Sequence, residues 1–127
     1  METGGMKGRR KEMIREELHH LIKENFGLKQ VHSEYGMTEL LSQAYSKADG
    51  LFRPPPWMHI SIRDIHDPTQ VLKPFETGRV NIIDLANIYS CSFLSTSDLG
   101  RMHPDGSFEI LGRTDHSDLR GCNLLIV

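Results

Sequence analysis

Three short strings concentrate side chains able to grip charged oxygens and a hard cation. They are Glu34-Tyr35-Gly36-Met37-Thr38-Glu39, then Ser95-Thr96-Ser97-Asp98-Leu99-Gly100, then Gly112-Arg113-Thr114-Asp115. Each has an ordinary reading when taken alone. A Tyr-Gly pair followed by a hydroxyl and a carboxylate forms a simple turn, and Asp98 and Asp115 serve equally well as caps or surface acids. Two cysteines, Cys91 and Cys122, complete the reactive inventory. An ionised thiol is a nucleophile. Against that, Cys122 beside Leu119 and Leu124 also suits a small buried hydrophobe. Cys91 falls in a run expected to be a strand and is read as structural.

The elements that must position these strings follow from periodicity. Residues 1–8 are rich in glycine and read as flexible. Residues 9–26 predict a helix, because Ile14, Leu18, Leu21 and Ile22 form one apolar stripe. Gly27 stands where a left-handed C-terminal cap belongs. Leu28 to Val31 then reads as a short buried strand, and 40–46 is ambiguous between strand and short helix. Asp49-Gly50 is a turn signal, and three consecutive prolines, Pro54 to Pro56, impose an extended stretch. Met58, Ile60 and Ile62 alternate with polar residues as a half-buried strand does. Val80 to Leu85 is a β-branched apolar run, and Cys91 to Ser95 a further strand. Pro104-Asp105-Gly106 between two apolar segments predicts a hairpin. Trp57, after the prolines, is read as core. The fold class is α+β: one N-terminal amphipathic helix and a small antiparallel sheet or distorted barrel over 28–121, with 122–127 as a tail.

In this order and spacing the three strings resemble the core motifs of the adenylate-forming superfamily, which includes acyl-CoA ligases, luciferases and peptide-synthetase adenylation domains. Asp98 follows Glu39 by 59 positions, and Arg113 follows Asp98 by 15. The resemblance spans roughly 31–121. It implies ATP and Mg²⁺ as cofactors. Glu39 matches the magnesium ligand, and its hard oxygens suit that ion. The Thr38 hydroxyl matches a contact to the α-phosphate, Tyr35 matches the aromatic residue that lies against adenine, and Gly36 belongs to the same nucleotide-binding string. Asp98 matches the acceptor of the ribose hydroxyls. Arg113, with its planar fork, matches a cation near ribose and phosphate. Asp115 matches a hinge before a mobile subdomain. The implied reaction is attack of a carboxylate on the α-phosphate of ATP, with charge held as pyrophosphate leaves.

The last part of the chain narrows the resemblance. The run from Asp115 through Ser117, Asp118, Arg120 and Gly121 to Cys122 is similar to the ending of the acyl-protein synthetases of bacterial bioluminescence, the LuxE family. That resemblance implies a fatty acyl-adenylate, transfer of the acyl group to Cys122, and an acyl-CoA-reductase-like partner. The superfamily's Ser/Thr/Gly-rich phosphate loop has no counterpart here, and only twelve residues follow Asp115. The expectation is therefore the C-terminal part of a larger enzyme, inactive by itself. There are departures: Ser92-Phe93-Leu94-Ser95 stands where many members have an Arg-Tyr pair, Ser97 where many have glycine, and Leu119-Arg120 where Ile-Lys is usual. The alternatives are an aryl-CoA ligase resembling phenylacetate-CoA ligase, and a non-enzymatic β-rich interaction module.

Composition sets the remaining bounds. Hydrophobic residues make up 38% and charged residues 25% of 127 positions, as in a globular domain, and the net charge of -2 provides no general pull toward nucleic acid or anionic lipid. No apolar stretch approaches the ~20 residues of a membrane helix. Two cysteines do not make a disulfide framework, so a reducing cytoplasm is expected. The seven histidines show no metal-ligand spacing. If the helix stripe lacks a neighbour, it predicts an exposed apolar patch and a homo-oligomer.

Overall fold

The computed structural model describes residues 1–3, 13 and 15–114. Its elements are α1 (Arg15–Phe26), β1 (Ser33–Tyr35), β2 (Ala44–Ser46), β3 (Met58–Arg63), β4 (Gly78–Asp84), β5 (Phe93–Met102) and β6 (Phe108–Arg113). A single 3-10 turn, Leu85–Asn87, follows β4. The fold is α+β. Strands β1 and β2 pair antiparallel, and β3-β4-β5-β6 form an antiparallel meander. The described strands make two open sheets, so the distorted barrel allowed by the sequence is not formed.

The helix ends as its sequence dictates. Gly27 adopts φ +63°, and the Leu28 N–H returns to the Lys23 carbonyl at 3.1 Å, a Schellman closure. The turn that follows delays the next strand. The extended pairing expected at Leu28 to Val31 begins instead at Ser33, with Val31 buried and Leu28 exposed. Of the apolar stripe, Leu18 and Ile22 are half-buried and Leu21 is 42% exposed, while Ile14 lies outside the described residues. The residue that α1 buries is His19. Its Nε2 sits 3.3 Å from Glu2 Oε2 and 3.2 Å from Ser33 Oγ. Glu2 lies alongside Ser33 in an isolated parallel bridge.

Period-2 alternation holds through the meander. Met58, Ile60, Ile62, Val80, Ile82, Phe108 and Ile110 face inward. Tyr35, Phe52 and Phe108 form an aromatic trio with ring centroids 5.6–5.9 Å apart. The Arg15 guanidinium lies 5.1 Å above the Phe52 ring and ties α1 to that trio. Phe52 and Phe108 exchange both backbone hydrogen bonds, at 2.8 and 3.0 Å, and Arg53 does the same with Tyr45, so residues 52–53 stitch the small sheet to the large one. At Gly100 a Cβ would meet the Glu109 carbonyl oxygen at 2.5 Å, so β5 and β6 approach too closely there for any other residue.

The expected hairpin is β5–β6. Asp105 caps its turn, and the Ser107 hydroxyl and N–H, followed by Arg53, hold its carboxyl down to about 2. Two placements differ from expectation. Cys91 is exposed and precedes β5, because the chain between Leu85 and Ser92 turns rather than extends. Trp57 is 53% exposed, because its indole N–H reaches sideways to Ser42 Oγ at 2.9 Å instead of entering the core. Among the described residues no helix is long and apolar enough to cross a membrane.

Candidate active site

Strand β1 ends at Tyr35, and the loop 36–43 returns the chain to β2. Within it the Leu40 N–H donates to the Met37 carbonyl at 3.0 Å, closing a turn with Thr38 and Glu39 at its two central positions. Both are exposed, and Leu40 is buried as the anchor beneath them. A hydroxyl and a carboxylate therefore stand side by side at the surface on a pinned backbone. Gly36, just before the turn, is exposed, and a Cβ there would crowd Gln43 Cγ at 3.0 Å.

Next to this turn in the chain, residues of all three separated strings meet. Tyr35 is buried, and its hydroxyl donates to Asp98 Oδ2 at 2.7 Å. Asp98 pairs across the β5–β6 ladder with Arg113, whose Nε lies 3.5 Å from Asp98 Oδ1. The Thr96 hydroxyl accepts from the Asp98 N–H at 3.0 Å and donates to the Val80 carbonyl at 2.9 Å, which fixes the backbone of the Thr-Ser-Asp string. Thr114 closes on the Ser97 carbonyl through its N–H and its hydroxyl. Burial pushes the Asp98 carboxyl above its ordinary range, and the Tyr35 hydroxyl and Arg113 charge pull it back only in part. An interior carboxylate with one short hydrogen bond and one longer ionic contact keeps unused acceptor capacity.

A second buried carboxylate escaped the sequence reading. Asp84 is fully buried at the end of β4. Its Oδ2 accepts from the Leu41 and Ser42 N–H groups at 3.0 and 2.9 Å. Its Oδ1 accepts from the Ser42 hydroxyl at 2.7 Å and the Ala86 N–H at 3.1 Å. Burial raises its proton affinity, but these donors outweigh burial and hold the carboxyl below its ordinary value. The signal was in the alternation: after Val80 and Ile82, the next inward position is Asp84. An acid continuing an apolar face needs interior partners.

The geometry thus joins Tyr35, Asp98 and Arg113 by direct contact and sets Thr38 and Glu39 on the adjoining turn. Cys122 and Asp115 lie outside the described residues. A cleft of about 440 Å³ lies elsewhere, lined in part by Arg15, His19, His20, Lys23 and Leu111, and includes none of the five.

No family model matches the chain, and no curated protein matches it. Solved structures do. The chain is similar to ATP-bound MatB from Rhodopseudomonas palustris, with TM-score 0.59 and 19% identity over 76% of this chain and 23% of that one. It is similar to the O-succinylbenzoate coenzyme A synthetase MenE from Bacillus subtilis in complex with AMP, with TM-score 0.56 and 26% identity over 77% and 24% of the two chains. MenE with ATP and magnesium aligns with TM-score 0.54 and 23% identity over 78% and 25%. The chain spans about a quarter of the length of the structures it matches.

Proposed function

We propose that this chain is the nucleotide-holding part of an ATP-dependent ligase that activates a fatty or related carboxylic acid as its acyl-adenylate. In the fuller reading the acyl group then passes to the Cys122 thiol of the same protein. One observation carries the proposal: strings far apart in sequence converge, with the Tyr35 hydroxyl 2.7 Å from Asp98 and Arg113 across the ladder from it. The likeness to ligase structures solved with ATP and AMP supports it. That likeness concerns about a quarter of those enzymes, and the whole activity is proposed for a protein that contains this segment.

The roles follow from the chemistry of each group. Asp98, buried and incompletely satisfied, accepts from the ribose hydroxyls. Arg113 puts positive charge beside it and offsets part of the rise in proton affinity that burial causes. Thr38 donates its hydroxyl to an α-phosphate oxygen. Glu39 is the fitting ligand for Mg²⁺: its carboxylate is exposed on a fixed turn, and none of the described residues pairs with it. Glu39, with water and phosphate oxygens, would hold Mg²⁺ there, and the ion would supply positive charge against the pyrophosphate leaving group. Tyr35 is bound into the aromatic trio with its hydroxyl on Asp98, an arrangement that aims the carboxylate.

MenE's description as a coenzyme A synthetase favours a second reading, in which coenzyme A is the acceptor instead of Cys122. Incubating the full-length enzyme with labelled fatty acid, ATP and Mg²⁺ separates the two. Expected is label on the protein, released by neutral hydroxylamine and absent from Cys122→Ser. Undiminished labelling of Cys122→Ser would end the acyl-carrier role. Label that appears only on added coenzyme A would establish the second reading.

A further inference from the structure

The buried pair Asp84 and Asn87 is unexplained by the roles assigned above. Four donors converge on the two oxygens of Asp84, and a carboxylate offers about four lone-pair directions. It therefore has no capacity left for a ligand. What it holds is the loop after Glu39: the N–H groups of Leu41 and Ser42 and the Ser42 hydroxyl. Asn87, on the 3-10 turn that Asp84 itself caps, holds the other side. Its amide donates to the Glu39 carbonyl at 2.9 Å and to the Cys91 carbonyl at 3.0 Å. The backbone is thus gripped at Glu39 and again two and three residues later. Trp57 adds a third hold, through its indole N–H to Ser42 Oγ. The turn presenting Thr38 and Glu39 is exposed, yet its downstream half is fastened to a buried carboxylate.

We propose that Asp84 and Asn87 act as a latch that positions Thr38 and Glu39 for phosphate and metal. They are positioning residues, and the inference rests on the function proposed above. A surface carboxylate on a free loop would sample many orientations. Fixing the carbonyl of its own residue removes most of that freedom before the ion arrives, and a ligand misplaced by 1 Å loses much of its effect.

The test uses the full-length enzyme and two substitutions, Asn87→Ala and, as a core control, Ile110→Val. Amide hydrogen exchange is read first, without nucleotide or metal. Expected is about a tenfold or greater acceleration at Leu40 and Leu41 in Asn87→Ala, with the amides of β3 and β4 unchanged and no such loop effect in Ile110→Val. The second readout is the Mg²⁺ concentration at half-maximal pyrophosphate exchange. It should rise at least about fivefold in Asn87→Ala, with the KM for the acid unchanged. If Asn87→Ala does not fold, Trp57→Phe tests the same hold from the exposed side and should shift both readouts in the same direction. Unaltered loop exchange in the folded variant, or an equal Mg²⁺ shift in Ile110→Val, would overturn the latch. A wild-type enzyme that exchanges no pyrophosphate with any acid would refute the proposed function, and loop exchange would still report on the latch.

Discussion

Asp84 and Asp98 are both aspartates on inward-facing positions of one sheet, and both are removed from water, at 0% and 8% exposure. Their surroundings drive them in opposite directions. Asp84 is met by four donors and is held below its ordinary proton affinity. Asp98 is met by the Tyr35 hydroxyl and, at longer range, by Arg113, and is held above it. Burial alone therefore does not distinguish an acid whose oxygens are saturated by the fold from one with acceptor capacity to spare. Completeness of satisfaction does: a saturated carboxylate stabilises the fold, and an incompletely satisfied one keeps capacity for a ligand.

The comparison is broken most severely at Asp84. Asp84→Ala leaves three backbone N–H groups and the Ser42 hydroxyl without their acceptor, and should cost about 3–5 kcal/mol in denaturant unfolding. A loss under about 1 kcal/mol would show that water replaces the carboxylate freely. Tyr35→Phe comes next. It removes the one short hydrogen bond to Asp98 and should cost about 1.5–3 kcal/mol, pushing the Asp98 carboxyl further up. An Asp98 titration followed by NMR would read that shift directly.

Asp98→Asn should go the other way. It keeps an acceptor for the Tyr35 hydroxyl and removes a charge that burial penalises, so stability at neutral pH should hold or rise by up to about 1 kcal/mol while activity falls. The pH dependence sharpens this. Asp84, with a depressed folded value, contributes stability above its ordinary 3.8 that is lost as pH falls through the folded value. Asp98, with a raised folded value, contributes stability below 3.8 that is lost as pH rises through it. The stability of Asp98→Asn relative to wild type should therefore grow with pH across that upper window. A relative stability that declined there would reverse the assignment. The smallest effect on folding belongs to Glu39→Gln, an exposed change expected to stay within about 0.5 kcal/mol.

Much of the molecule was legible because its signals are local. Alternation at Met58, Ile60 and Ile62, the Gly27 cap and the turn signal at Pro104 to Gly106 each act over a few residues, and each element formed there. The three strings were legible as chemistry, and the fold brings Tyr35, Asp98 and Arg113 into contact. What sequence could not supply were choices made by tertiary contact. Cys91 leaves the strand because the Asn87 amide draws its carbonyl inward at 3.0 Å. Trp57 turns outward because Ser42 takes its indole proton. The acid at position 84 became interpretable only when the loop from a distant part of the chain supplied its donors.

The turn at Thr38 and Glu39, which follows Tyr35 and its contact to Asp98, is proposed to activate a carboxylic acid with ATP. The most direct test is acid-dependent exchange of pyrophosphate into ATP by the full-length enzyme, wild type against Glu39→Gln, with thermal unfolding confirmed equal. The expected result is exchange in the wild type and a loss of roughly 10²-fold or more in the variant. Exchange at the wild-type rate in Glu39→Gln would contradict the account.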